Sequence, residues 1–263
     1  MYGNVLDEGT GPAVVMAHGT MMDATMFAPQ FDALADAYRV IAYDQRARTE
    51  AYDTTYGLRE LADDCCRLLD DLRIERCVLL GMSMGGFMAT EFISRYPDRV
   101  QALVLVGSQI GTYPQAEQDR RMVEFAKFDH PGMVSPDLAR ETTTYIFSAT
   151  TRRERPDLVE QWIQRWTTLP ARSVLRESMS WLGKADYTEV ACHFDNPVLV
   201  VHGENDMVLP VDEKTFAMRN AFPDVEVVRV PNSGHVVNLE APEQTNAALR
   251  DFLDRLRAQG RIG

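Results

Sequence analysis

Three residues far apart in the chain have the types and settings to do chemistry together. Ser83 stands in Gly81-Met82-Ser83-Met84-Gly85, after the apolar run Val78-Leu79-Leu80 and before a segment of helical period. A G-x-S-x-G between a buried strand and a helix forces a sharp turn that pushes the serine Oγ outward. Gly81 and Gly85 leave room for that turn, because a Cβ at either position would meet neighbouring elements. The following helix aims its free N–H groups and positive dipole end at the same point, where a developing oxyanion would sit. The plainer reading, a serine that merely caps the helix, loses ground to the apolar strand ahead of it.

A serine hydroxyl is a poor nucleophile until a base takes its proton. The histidines are His18, His130, His193, His202 and His235. His235, in Pro231-Asn232-Ser233-Gly234-His235, follows the last expected strand, so its loop leaves the same sheet edge as Ser83. His130 and His193 lie in or beside a helical stretch with no strand edge behind them. His18 and His202 sit at strand ends before glycines and read as imidazoles that bond nearby backbone and shape loops. The base in turn needs a carboxylate to fix its tautomer and stabilise the imidazolium. Asp206 lies just past Val200-Val201-His202-Gly203, with Pro210 after it; Glu204, two residues nearer the strand, is the rival and is expected to face the turn. The other strand end that could bear an acid reads Gly107-Ser108-Gln109, without a carboxylate. Two backbone donors would complete an oxyanion hole: the N–H of Met84, and one from Ala17-His18-Gly19-Thr20-Met21, with Thr20 first choice and Met21 second.

The elements that must position these residues are legible as well. Short, nearly continuous apolar runs fall at 13–17, 39–43, 76–80, 102–106, 197–201 and 225–230, the pattern of strands covered on both faces. Helical stripes lie between them, at 58–72, 84–96 and 241–258. This alternation predicts an α/β fold with a mostly parallel sheet flanked by helices. It breaks between residues 111 and 187, where helical period dominates at 115–128, 136–148, 155–168 and 171–182. The expected organisation is therefore a core of residues 1–110 and 188–263, interrupted by a helical cap over 111–187.

Composition narrows the function. With 27 Lys plus Arg against 39 Asp plus Glu, the net charge of −12 argues against a binder of nucleic-acid phosphates. No run reaches the length of a membrane span, and the opening residues lack the basic start and apolar stretch of a signal peptide. Cys65, Cys66, Cys77 and Cys192 have neither disulfide-framework nor zinc spacing, so a reducing, cytoplasmic setting is expected.

These segments together resemble the α/β-hydrolase superfamily, in its serine-hydrolase branch. The matching features are the His18-Gly19 loop, the Gly81-to-Gly86 elbow, the acid loop from Gly203 through Asp206 to Pro210, and the terminal Ser233-Gly234-His235; they span nearly the whole core. The order Ser83, Asp206, His235 is that of the family. The resemblance is nearest to small esterases, enol-lactonases, C–C hydrolases and cofactor-free perhydrolases. It implies an eight-stranded sheet, a lid, a covalent acyl-enzyme, and neither metal nor cofactor. Two departures stand out. Asp44-Gln45-Arg46-Ala47-Arg48-Thr49 lacks the glycines usual after the second parallel strand, and Arg46 and Arg48 are expected in surface or lid-docking salt bridges. The opening hairpin is shortened, to one strand near residues 2–6.

Methionines cluster near the elbow: Met21, Met22, Met82, Met84 and Met88. Met21, Met22, Tyr145, Trp181 and Val236 are the candidate pocket residues. Phe128, Met133, Phe147, Trp162 and Trp166 are further candidates, about half of which are expected to hold the cap helices together instead. No basic cluster obviously awaits a substrate carboxylate. The expected substrate is a small, mainly apolar ester or lactone, the alternatives being a diketone, peroxide-dependent chemistry, or a ligand receptor on the same scaffold. Oligomeric state is not legible.

Overall fold

A computed structural model describes residues 2–263. Seven strands form one sheet: β1 (Val5–Glu8), β2 (Ala13–Ala17), β3 (Arg39–Tyr43), β4 (Cys77–Met82), β5 (Val100–Val106), β6 (Val198–Gly203) and β7 (Val225–Val230). Their order is β1-β3-β2-β4-β5-β6-β7, and only β1 runs antiparallel to its neighbour. The sheet thus has seven described strands rather than eight, and its opening strand lies at 5–8, later than the expected 2–6. The chain before β2 supplies a single strand, which bonds along the outer edge of β3.

The two-sided burial follows from the two-residue period of a strand. In β4, Val78 and Leu80 join the core on one face, while Cys77 and Leu79 join the core on the other. In β5, Ala102, Val104 and Val106 face one core and Leu103 and Leu105 the other. Helix α1 (Ala28–Leu34) packs with α12 (Pro242–Ala258), and their apolar faces join the first core. The second core is closed by α2 (Leu58–Asp71), α3 (Met84–Arg95) and α10 (Val211–Ala221).

Between β5 and β6 the chain is helical: α4 (Gln115–Phe125), α5 (Pro136–Ile146), α6 (Ala149–Glu154), α7 (Pro156–Trp166), α8 (Ala171–Leu182) and α9 (Thr188–Cys192). The stripe expected to run to residue 148 stops two residues earlier, because the Ser148 hydroxyl accepts the Thr151 N–H and starts α6. The other short helix of the second half, α11 (Val237–Glu240), follows the His235 loop. No helix among the described residues is long and apolar enough to cross a membrane.

The strand order reverses between β2 and β4, which creates a crevice at their carboxyl ends. The loop after β2 and the turn after β4 meet there, and the loops after β6 and β7 leave the same rim.

Lys184 ties the end of α8 to the loop beyond β5. Its ammonium donates to the carbonyl of Gly111 and lies 4.9 Å from the Phe87 ring centroid. It is 6% exposed, and burial pushes its amine down from 10.5 to about 7. Between those values the unfolded chain binds a proton that the folded chain does not, so stability rises with pH across that window. Lys184→Met should flatten that rise, read as the difference in urea unfolding free energy between pH near 7 and pH near 10. Separately, Leu68 is fully buried under the sheet, and Leu68→Ala should cost about 2–5 kcal/mol in denaturant unfolding.

Candidate active site

Ser83 sits between β4 and α3 at φ 49°, in the left-handed region that side chains with a Cβ seldom adopt. The turn is possible because its neighbours are small. A Cβ on Gly81 would stand 2.3 Å from the Gly85 carbonyl oxygen, and one on Gly85 would stand 2.0 Å from that of Ala17. The serine caps nothing with its side chain. Its Oγ lies 2.9 Å from His235 Nε2, and His235 Nδ1 lies 2.8 Å from Asp206 Oδ2. The three residues singled out from sequence are therefore hydrogen-bonded neighbours. Ser83 is 8% exposed, so the hydroxyl expected to project outward lies within a cavity whose lining extends to exposed residues such as Met207 and Tyr145.

The acid is held from four directions. Asp206 Oδ1 accepts the N–H groups of Val208 and Leu209 at 2.8 and 2.9 Å, and Oδ2 accepts from His235 and lies 3.1 Å from His202 Nε2. Burial alone would raise its pKa, but the charge and hydrogen bond of His235 and the hydrogen bond of His202 outweigh it and hold the carboxyl well below the usual range. An ionised Asp206 fixes the proton of neutral His235 on Nδ1, leaving Nε2 to accept the serine proton. Glu204 is instead exposed, 3.5 Å from Arg229.

His202 does shape its loop, as expected, through Nε2 donation to the Leu209 carbonyl at 2.9 Å; its contact with Asp206 is an addition that sequence reading missed. The i, i+4 spacing of His202 and Asp206 was visible, but in a loop such spacing carries no geometric meaning. His18 bonds the Gly19 carbonyl through Nδ1 and accepts the Gln45 N–H at Nε2, and burial drives its pKa down to about 3. His130 and His193 are solvent-facing, each bonded to local backbone.

The loop after β2 abuts the nucleophile: a Cβ on Gly19 would lie 3.1 Å from Ser83 Cβ. Met21 cannot serve as the second oxyanion donor, because its N–H already donates to Glu177 Oε2 at 2.9 Å. Thr20 and Met84 remain as the backbone donors, since neither N–H is bonded to an acceptor among the described residues.

The cavity has a volume of about 420 Å³. Met21, Met22, Tyr145, Trp181 and Val236 all line it, as do Met82, Phe128 and Val174, while Met88 lies in the core. Phe147 and Trp162 each pack at a tilt against Trp166 within the helical segment, and Met133 is 58% exposed. Three basic residues reach the cavity wall, and each already has a glutamate partner. Arg121 pairs with Glu117, Lys127 with Glu124 and Glu141, and Arg120 lies 3.9 Å from Glu117. Arg46 pairs with Asp64 on α2. Arg48 makes a buried salt bridge with Glu177 of α8 at 2.8 Å, the second of the two alternatives expected for it.

A sheet with one reversal point, a serine on a strained strand-to-helix turn, and a histidine and acid on later strand ends define a class of enzyme scaffold. A family profile for the α/β hydrolase fold matches residues 12–242, and the chain belongs to that family. A non-heme chloroperoxidase from Kitasatospora aureofaciens is 28% identical, over 95% of this chain and 94% of its own length. A 3-oxoadipate enol-lactonase from Acinetobacter baylyi is 26% identical, over 89% of this chain and 85% of its own. A thermophilic esterase from Thermogutta terrifontis has a TM-score of 0.88 at 28% identity, with 96% of this chain and 93% of the esterase covered.

Asp206→Asn should keep the fold and lower kcat by roughly 10⁴, because an amide NH₂ facing Nδ1 would favour the opposite tautomer of His235. Steady-state kinetics beside an unchanged far-UV spectrum would check it.

Proposed function

We propose that this chain hydrolyses a small, mainly apolar carboxylic ester or lactone through an acyl-enzyme on Ser83. As Ser83 Oγ bonds to the carbonyl carbon, its proton passes to His235 Nε2 and the carbonyl electron pair moves onto oxygen. The N–H groups of Thr20 and Met84 receive that oxyanion; each such donor is typically worth about 3 kcal/mol. Collapse of the adduct expels the alcohol oxygen, which takes the proton from Nε2. A water then gives a proton to Nε2 and attacks the acyl carbon, and the acid leaves as Ser83 regains its proton. In a lactone the alcohol stays tethered to the acyl group.

The observation that carries this reading is the unbroken chain of hydrogen bonds from Ser83 through His235 to Asp206 at the floor of an apolar cavity. The esterase and lactonase relatives support the choice of bond. The paired state of the wall cations supports a neutral substrate, since an ionised one would leave water without meeting an unpartnered counter-charge.

A fluorophosphonate should label wild-type protein at Ser83, located by peptide mass spectrometry, and should leave Ser83→Ala unlabelled. p-Nitrophenyl acetate and simple lactones should turn over, with the activity of Ser83→Ala lower by several orders of magnitude. An unlabelled wild type, or turnover of a vinylogous diketone but no ester, would replace the proposal with another reaction. The chloroperoxidase relative motivates one further arm, in which turnover that requires peroxide and acetate would move the assignment to perhydrolysis.

A further inference from the structure

Three consecutive residues of the loop after β2 are gripped by side chains from outside it. Trp181 Nε1 donates to Thr20 Oγ1 at 3.0 Å, Glu177 Oε2 accepts the Met21 N–H at 2.9 Å, and Arg48 Nε donates to the Met22 carbonyl at 2.7 Å. Glu177 and Trp181 are one turn apart on α8 and so present one face to the loop. Arg48 closes the set by donating to the same Glu177 oxygen at 2.8 Å.

This grip has a job to do. Met21 has φ 65°, a left-handed conformation that is costly for a residue with a Cβ and persists only when its surroundings impose it. The bond from the Met21 N–H fixes the peptide that joins Thr20 to Met21, and so anchors the carbonyl side of the residue whose own N–H is the proposed donor. Glu177 is fully buried, where an ionised carboxylate is expensive unless its partners compensate. Its partners are the loop backbone and the one guanidinium that also holds the loop. Among the described residues the Met21 N–H has no acceptor other than Glu177.

We infer that α8 holds the Thr20 oxyanion donor in place, with Glu177 and Trp181 as positioning residues, so that the site is competent only while this helix is seated on the loop. The inference rests on the acyl-transfer reading above. It gives the cap a role in the chemical step as well as in covering the cavity.

The test compares Glu177→Ala, Glu177→Gln and Trp181→Phe with wild type on p-nitrophenyl acetate. A trifluoromethyl ketone serves as the second probe, since its Ser83 adduct places an oxyanion in the hole. Glu177→Ala should lower kcat about 10–100-fold and weaken ketone inhibition by a similar factor, with KM changed far less. Glu177→Gln keeps an acceptor for the Met21 N–H and should recover most of that loss. Trp181→Phe keeps an aromatic ring but not the N–H, so it should fold and still lose kcat and ketone affinity in parallel. Parallel loss in Trp181→Phe alone would sustain the role even if Glu177→Ala does not fold. Unchanged kcat and ketone affinity in the folded variants, or a change confined to KM or thermal stability, would overturn the role. A wild type that neither turns over the ester nor takes a fluorophosphonate would sink the acyl-transfer reading itself, and this inference with it.

Discussion

A proton can pass from Ser83 to His235 only if two atoms 152 residues apart in sequence stay within 2.9 Å, while an acid 29 residues from that histidine stays within 2.8 Å. Loop tips do not hold such tolerances by themselves. Parallel strands do, because pairing fixes the height of each carboxyl end. Met82 of β4 is opposite Val106 of β5, and Val106 is opposite Val201 of β6, so the turns after these strands start at matched levels. The Ser83 N–H extends this ladder by donating to the Val106 carbonyl, which fastens the strained turn itself to the sheet. The apolar content of β4, β5 and β6 therefore underlies the chemistry: burial on both faces holds the strands, and the strands hold the rim.

The sheet does not complete the task. Two buried glutamates from outside it fasten the loops that face each other across Ser83. Glu177 reaches the loop after β2. Glu240 of α11 accepts the Gly234 N–H at 3.0 Å through Oε1, and the Ser148 N–H and Thr151 hydroxyl through Oε2. It thus joins the residue before His235 to the start of α6, while the His235 N–H donates to the Ile146 carbonyl. The loops carrying Thr20 and His235 are each bonded to the helical segment between β5 and β6. Glu240 satisfies the otherwise buried N–H groups of Gly234 and Ser148, whereas Glu177 keeps one oxygen unbonded, and burial holds its carboxyl above the usual range despite Arg48 and the Met21 N–H.

What was legible in the sequence divides along this line. The strands were readable because a two-sided sheet demands runs such as Val78-Leu79-Leu80, which few other contexts produce. The elbow was readable because glycine at 81 and 85 has a steric cause that survives in the letters. Asp206 could be preferred over Glu204 by its distance from the strand. Glu177 was not legible, because a glutamate inside an amphipathic helix ordinarily faces water, and only tertiary packing turns it inward. Arg48 was read as a lid-docking candidate without its partner, for the same reason. The sequence order of preference, Thr20 before Met21, had no view of its physical cause, which is that Glu177 of α8 consumes the Met21 N–H. Helix α10 buries Val211, Thr215, Met218 and Ala221, a stripe too weakly apolar to stand out in the letters.

The way the cavity is charged bears on which molecules it can process. Ser83 and His235 line it, while the ionised Asp206 lies behind His235, outside the lining, and already accepts two backbone N–H bonds. The cations of its wall are engaged by glutamates, so the ground state offers an incoming molecule little net field. The donors able to meet new negative charge lie beside Ser83, on Thr20 and Met84. An arrangement of this kind is indifferent to a neutral carbonyl and becomes attractive only as charge grows on its oxygen, which is the condition for lowering a barrier rather than tightening a complex. Low polarity around the site magnifies that difference, because each N–H acts there against little competing solvent. The apolar wall and the polar floor are thus two parts of one device: the first keeps the dielectric low, and the second spends that advantage at the reacting atom.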